Sequence, residues 1–188
     1  MTVIKNTIVG ITTSSQPSKK LLYIIKDFLK ILDGSKYFKR KKFKIKQILC
    51  YLKSKEIKTL LIFKEKKNWA YDIWIINMRE KVSIHFQLKS ILLKKNFQDN
   101  NDSVSYKPEI ILKNFNNKTG KIIFFLLKNL FPFSPNFKNR NVVSFFYRNN
   151  LIFFRFYRYI FSLSGKDVKL QELGPRFIFR FCKVFILF

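Results

Sequence analysis

Lys169-Leu170-Gln171-Glu172-Leu173-Gly174-Pro175-Arg176-Phe177-Ile178-Phe179-Arg180-Phe181 reads as two extended segments broken at a Gly-Pro step. Glycine supplies backbone angles that other residues avoid, and proline fixes φ while removing a donor, so the pair predicts a tight kink between strands. Arg176 leaves that kink and enters an aromatic strand. A guanidinium at a bend on a sheet can grip a phosphate with two donors or stack on a base. The competing reading is that Gly-Pro marks a plain strand entry and that the arginines are solvated. Arg176 and Arg180 are four residues apart, so a regular strand places them on one face, the sharper candidate for a nucleic-acid contact.

Outward from this kink, Leu151 to Phe161 is an aromatic strand carrying Arg155 and Arg158. Three residues apart, they point to opposite faces, so one of them is expected to be structural unless the strand is bulged. Val142 to Tyr147 reads as the strand before it. Thr119 to Phe131 reads as a helix with Ile122, Ile123, Leu126, Leu127 and Leu130 inward, and Pro108 to Phe115 as a strand. The first half repeats that order. Val3 to Thr13 is a buried strand ending in Thr-Thr-Ser-Ser, a helix-cap signal. Leu21, Ile24, Ile25, Phe28, Leu29 and Leu32 then form one helical face, which Asp33-Gly34 stops. Lys44 to Lys55 is a second helix with Cys50 as a packing residue. Thr59 to Phe63, Asp72 to Asn77 and Val82 to Leu88 are strands, with a turn near Arg79-Glu80-Lys81. Trp69 and Trp74 are expected as core or rim anchors, and His85 as a strand-surface residue rather than a ligand. Residues 96–107, with Asp99, Asn100, Asn101 and Asp102, are the least periodic stretch and read as a linker. The expectation is an α/β chain of two halves, 1–95 and 108–188, with no clear residue-level repeat between them.

Composition bounds the function. Thirty-eight Lys and Arg against 11 Asp and Glu give a net charge of +27 over 188 residues, a field that draws polyanions. RNA, DNA and acidic lipid compete for that role. The apolar runs are each interrupted by charge, as at Lys128, Arg155 and Lys183, so none reaches the ~20 residues a membrane span needs. The N-terminal stretch has Lys5 and Asn6 in place of an apolar signal core. The excess of Lys, Asn, Ile and Phe is what an AT-rich genome produces. Cys50 and Cys182 are expected as free, mostly buried thiols, and two cysteines cannot hold a metal cluster. One histidine, no Cys-His pair, no paired carboxylates and no Gly-rich phosphate loop leave an enzyme little to work with, so no catalytic residues, cofactor, metal or small-molecule substrate are expected. Binding is better supplied. Lys39, Arg40, Lys41 and Lys42 are interleaved with Tyr37, Phe38 and Phe43, the charge-and-ring mixture used for single-stranded or looped RNA. A solvated lysine run beside inward-facing aromatics is the alternative.

Four ordered stretches carry a family resemblance: Ile11-Thr12-Thr13-Ser14 with Pro17-Ser18, Pro108 to Phe115, Leu151 to Phe161, and Leu170 to Phe181. Together they resemble the Brix domain, the RNA-binding module of eukaryotic ribosome assembly factors. Leu130-Phe131-Pro132, Pro135-Asn136-Phe137 and Ile152 to Phe161 are most similar to its large-subunit branch, called ribosome production factor 1, with the small-subunit U3-type branch as the nearest rival. The resemblance implies two α/β halves akin to the anticodon-binding domain of certain aminoacyl-tRNA synthetases, joined in one Brix domain over 1–188. It implies Gly174, Pro175, Arg176 and Phe177 as an RNA-facing turn, with Lys19 and Lys20 at a usually basic position. Ser15-Gln16 departs from the arginine of many relatives, and Ile122 to Leu127 is more apolar than usual. Precursor ribosomal RNA in the pre-60S particle, a small protein added at a sheet edge, no membrane, and a nucleolar site, even in a reduced AT-rich nucleus such as a nucleomorph, follow as expectations. A structural ribosomal protein and a basic membrane-surface protein are the other classes. The apolar ending Val184 to Phe188 either awaits that partner or packs on its own sheet.

Overall fold

The computed structural model describes residues 9–65, 71–97, 107–131, 137, 140–162 and 167–186. Contacts divide the chain into two units, residues 1–87 with 181–188, and residues 88–180. Most of the polar stretch at 96–107, read as a linker, lies outside the described residues, as does Trp69.

In the first unit β1 (Val9–Thr13) lies parallel to β3 (Thr59–Glu65), which pairs antiparallel with β4 (Tyr71–Asn77). β5 (Val82–Leu92) follows β4 in the sheet order. Parallel neighbours need a long crossover, which here contains α1 (Lys19–Ile31), the two-residue β2 (Lys36–Tyr37) and α2 (Ile45–Ser54). Both faces of β3 are buried, because the period of two sends alternate side chains to opposite sides. Leu60 and Ile62 join Ile48, Leu52, Ile57 and Ile76 in a core under α2. On the opposite face Phe63 meets Phe28 of α1 at 5.1 Å between ring centroids. Of the α1 face that the spacing predicts, Leu21, Ile24, Ile25 and Leu32 are buried and Phe28 and Leu29 half-buried, and Ile31 is buried beside them. Its cap is Ser18, whose Oγ accepts from the Leu21 amide at 3.1 Å, four residues beyond Ser14 of the Thr-Thr-Ser-Ser run.

The second unit repeats this plan in shorter form. β6 (Glu109–Lys113) runs parallel to β7 (Asn141–Arg148), which pairs antiparallel with β8 (Leu151–Phe161), and α3 (Lys118–Lys128) lies in the crossover. β1, β3 and β4 therefore stand to one another as β6, β7 and β8 do. Gly120 belongs to the first turn of α3, where its amide donates to Asn117 Oδ1 at 2.6 Å and an added Cβ would stand 3.0 Å from the Phe115 backbone. One face of this sheet holds the core: Val143, Phe145, Ile152, Phe154, Phe156 and Phe177 are buried with Ile123, Leu126 and Leu127 of α3. Phe145 and Phe154 are cross-strand partners with ring centroids 5.2 Å apart.

Three packing expectations need correction. Cys50 is exposed, as is Cys182, and both are free thiols, not buried ones. On α2 the inward face is Ile45, Ile48, Leu49 and Leu52, and Cys50 lies two residues, about 200°, round the helix from Ile48. Ile122 of α3 is 42% exposed, since the inward arc is set by Ile123, Leu126, Leu127 and Leu130. His85 is half-buried rather than on the surface: its ring stacks on Trp74 at 4.4 Å, and Nε2 lies 3.2 Å from the buried Asp72 carboxylate. Trp74 is the rim anchor expected of it. The chain's ending packs in part on its own sheet, Phe185 meeting Trp74 at 5.3 Å, while Ile186 is exposed and 187–188 lie outside the described residues.

Candidate nucleic-acid interface

β8 splits its outer edge between two strands. β9 (Val168–Glu172) pairs with residues 157–161, and β10 (Arg176–Ile186) pairs with residues 151–154. Between them Leu173, Gly174 and Pro175 make the predicted kink, with a cis Gly174-Pro175 bond. All three are buried. Gly174 has φ +60, and a Cβ there would fall inside the ring of Phe97. Gly174 and Pro175 are thus buried, with the Phe97 ring against Gly174, so of the expected turn it is Arg176 that is partly exposed.

The kink's effect is on the arginines. Arg176 folds back onto Glu172, Nε donating to Oε1 at 3.0 Å and Nη2 to Oε2 at 2.5 Å, with its guanidinium 5.9 Å from the Phe97 ring centre. Arg155 donates from Nη1 to the carbonyls of Phe154 at 2.9 Å and Phe177 at 3.5 Å, and its Nε lies 3.7 Å from the same carboxylate. Burial, and then the neighbouring Arg176 cation, pull the Arg155 pKa down; its hydrogen bond to Glu172 pushes that of Arg176 up. Tyr157, opposite Glu172 in the ladder, has its pKa raised by burial and by that carboxylate. Of the two β8 arginines, Arg155 is therefore the structural one, with Arg158 on the other face opposite Asn141 and Gln171. Arg176 is a partly occupied fork and not a free one. Arg180 shares its face and is exposed.

The first unit presents the opposite chemistry. After β2 the chain turns at Arg40–Phe43: the Phe43 amide donates to the Arg40 carbonyl at 3.1 Å, Arg40 Nε returns to the Phe43 carbonyl at 3.3 Å, and Lys41 takes a left-handed φ of 50. Arg40, Lys41, Lys42, Phe43 and Lys44, with Ser15 and Gln16 from the segment before α1, line a concavity of ≈ 640 Å³. Four cations and no carboxylate line it. Lys39 is exposed on the preceding segment. Lys19 and Lys20 are exposed on the first turn of α1, which has no acidic residue, although the Glu65 carboxylate accepts from the Ser18 amide at 3.1 Å. Lysines at the positive end of a helix dipole cost stability, so their presence there needs a reason other than the helix.

The structure thus gathers Arg40, Lys41 and Lys42 into one wall of the first unit, while Arg155, Arg176 and Arg180 belong to the second. It adds Lys44, hidden to sequence reading because it also begins a helix, and Ser15 and Gln16, read there only as a departure from arginine. Glu172 and Phe97 were missed altogether. No helix among the described residues is long and apolar enough to cross a membrane.

The chain matches the model of the Brix domain over residues 14–183. It is 32% identical over 168 residues to ribosome production factor 1 of Rattus norvegicus, covering 89% of this chain and 48% of that protein. The same named protein of Saccharomyces cerevisiae is 29% identical, covering 89% and 57%. A Brix domain-containing protein of Caenorhabditis elegans is 35% identical, covering 80% and 39%. The chain thus spans roughly half the length of these relatives. A crystal structure of a probable ribosomal biogenesis protein from Aeropyrum pernix K1 superposes with a TM-score of 0.59 at 11% identity, covering 92% of this chain and 94% of that one, a likeness of fold alone.

Proposed function

Since this chain belongs to the Brix domain family, we propose that it is a non-catalytic ribosome biogenesis factor that binds precursor ribosomal RNA during large-subunit assembly in the nucleolus. The observation that carries the RNA contact is the concavity at Arg40–Lys44, four cations around an exposed ring with no carboxylate among its lining residues. Neutralising phosphates with such side chains releases counterions, and binding then weakens steeply with salt. The name of these relatives, ribosome production factor 1, supports assembly over a permanent place in the ribosome. The large-subunit assignment rests on the branch resemblance around Arg155. A small protein added as a strand belongs to the same proposal: β6 ends the strand order and carries the exposed Ile111.

Sedimentation of cell extracts, with RNA crosslinks mapped in each fraction, tests this. The protein should travel with large-subunit precursors, crosslinked to their RNA, and be absent from mature subunits. Residence on mature subunits would make it a structural ribosomal protein, and crosslinks confined to small-subunit precursors would move it to the other branch.

A further inference from the structure

Resting on the RNA-binding reading, we propose that the concavity at Ser15, Gln16 and Arg40–Lys44 takes one unpaired nucleotide, its base laid on Phe43 and its phosphates held by the surrounding cations. Three observations point beyond a plain phosphate cradle. Phe43 is 55% exposed, a large apolar face that folding leaves in water. Its backbone is tied at both ends, the Phe43 amide donating to the Arg40 carbonyl and Arg40 Nε to the Phe43 carbonyl. A turn closed before the ligand arrives presents the ring without a backbone ordering cost on binding. Finally, ≈ 640 Å³ is the size of a small-molecule site and ample for one nucleotide.

The wall chemistry agrees. A phosphate needs only cations, and duplex RNA offers no base face to an aromatic ring. An extruded base offers both a π face and a hydrogen-bonding edge. The Gln16 side chain, carrying both donor and acceptor, and the Ser15 hydroxyl stand on the wall formed by the segment before α1. Lys44, the residue at which α2 begins, brings that helix's amino end to the rim. Lys44 supplies no side-chain cap to α2, and Gln47 Oε1 accepts from the Lys44 amide at 2.8 Å. The positive end of that dipole adds to the field for a phosphate.

The test measures binding of the full chain to a single-stranded RNA and to a fully paired hairpin of equal phosphate count, by fluorescence anisotropy. Phe43→Ala should weaken the single strand about tenfold and leave the hairpin unchanged, while Phe43→Trp should bind the single strand at least as well as the parent. The position is exposed, and circular dichroism checks that both variants fold. If Phe43→Ala changes both RNAs equally or neither, the nucleotide pocket is overturned. The triple change Arg40→Gln, Lys41→Gln, Lys42→Gln separates this from the wider reading. Weakening of both RNAs by the triple change leaves RNA binding standing at this wall, and no effect on either overturns that as well.

Discussion

The turn at Arg40–Lys44 and the kink at Leu173–Arg176 both present an arginine at a bend, yet they use it differently. In the first, Arg40 bonds only its own turn, and no carboxylate lines the concavity. In the second, Glu172 takes two donors of Arg176 and draws Arg155 to 3.7 Å. Sequence alone marks both bends as places where a guanidinium could meet a phosphate. What separates them is whether an internal anion already occupies the guanidinium fork, as Glu172 does in the second and no lining residue does in the first.

The sharpest way to break this contrast is Gly174→Ala. A left-handed φ of +60 with a Cβ driven into Phe97 combines backbone strain with overpacking, about 3 kcal/mol of stability in urea unfolding. A stable, unshifted variant would mean that Phe97 does not hold the arginine kink. Next, replacing Arg40, Lys41, Lys42 and Lys44 together by Gln should lower the slope of log Kd against log salt by about 1.4, the two phosphates flanking one nucleotide counting about 0.7 each on a single strand. The urea midpoint should move little, since Lys41, Lys42 and Lys44 are exposed and Arg40 gives up only one solvent-exposed hydrogen bond to its own turn. Arg176→Gln should do the reverse. It leaves Glu172 half-satisfied, costing about 1–2 kcal/mol of stability, while RNA affinity changes less than twofold. An affinity loss as large as that of the fourfold variant would erase the distinction between the regions.

The smallest effect is alkaline. Burial first, and then the Glu172 charge, raise the pKa of Tyr157. The folded protein therefore keeps this phenol neutral where the unfolded chain, ionising near 10, has lost its proton. The stability it contributes is complete below that value and falls as pH rises above it. Tyr157→Phe should flatten part of that decline in denaturation measured across the alkaline range, Tyr71 and Tyr159 supplying the rest, as their pKa values are raised too.

Much of the fold was legible because its signals are local. The α1 face from Leu21 to Leu32, the β4–β5 turn and the break at Gly174-Pro175 each follow from spacing or from the backbone habits of single residues. Ile122 was misread because an unbroken apolar run, Ile122 to Leu127, has no period to choose an inward arc. Glu172 escaped for a geometric reason. On a continuous strand residues 172 and 176 would stand about 13 Å apart, and only the bend at Leu173–Pro175 folds one back on the other. Phe97 lies 77 positions before Gly174 and carries no local mark of its role. The Arg40–Phe43 wall was half visible: the basic and aromatic mixture could be seen, but not the concavity it shares with Ser15 and Gln16.

The repeated arrangement, β1, β3 and β4 matched by β6, β7 and β8, places the cationic turn in the part that breaks the symmetry. β2, that turn and α2 are intercalated between α1 and β3, and the second unit has no matching strand and helix among its described residues. The intercalated segment is moored at both ends, by the Phe38 amide to the Ile11 carbonyl at 2.7 Å and by Leu52 in the core. Between those moorings, residues 39–44 could lengthen, shorten or change composition with the shared frame undisturbed, a plot of ground on which selection can alter what is grasped while the building stands.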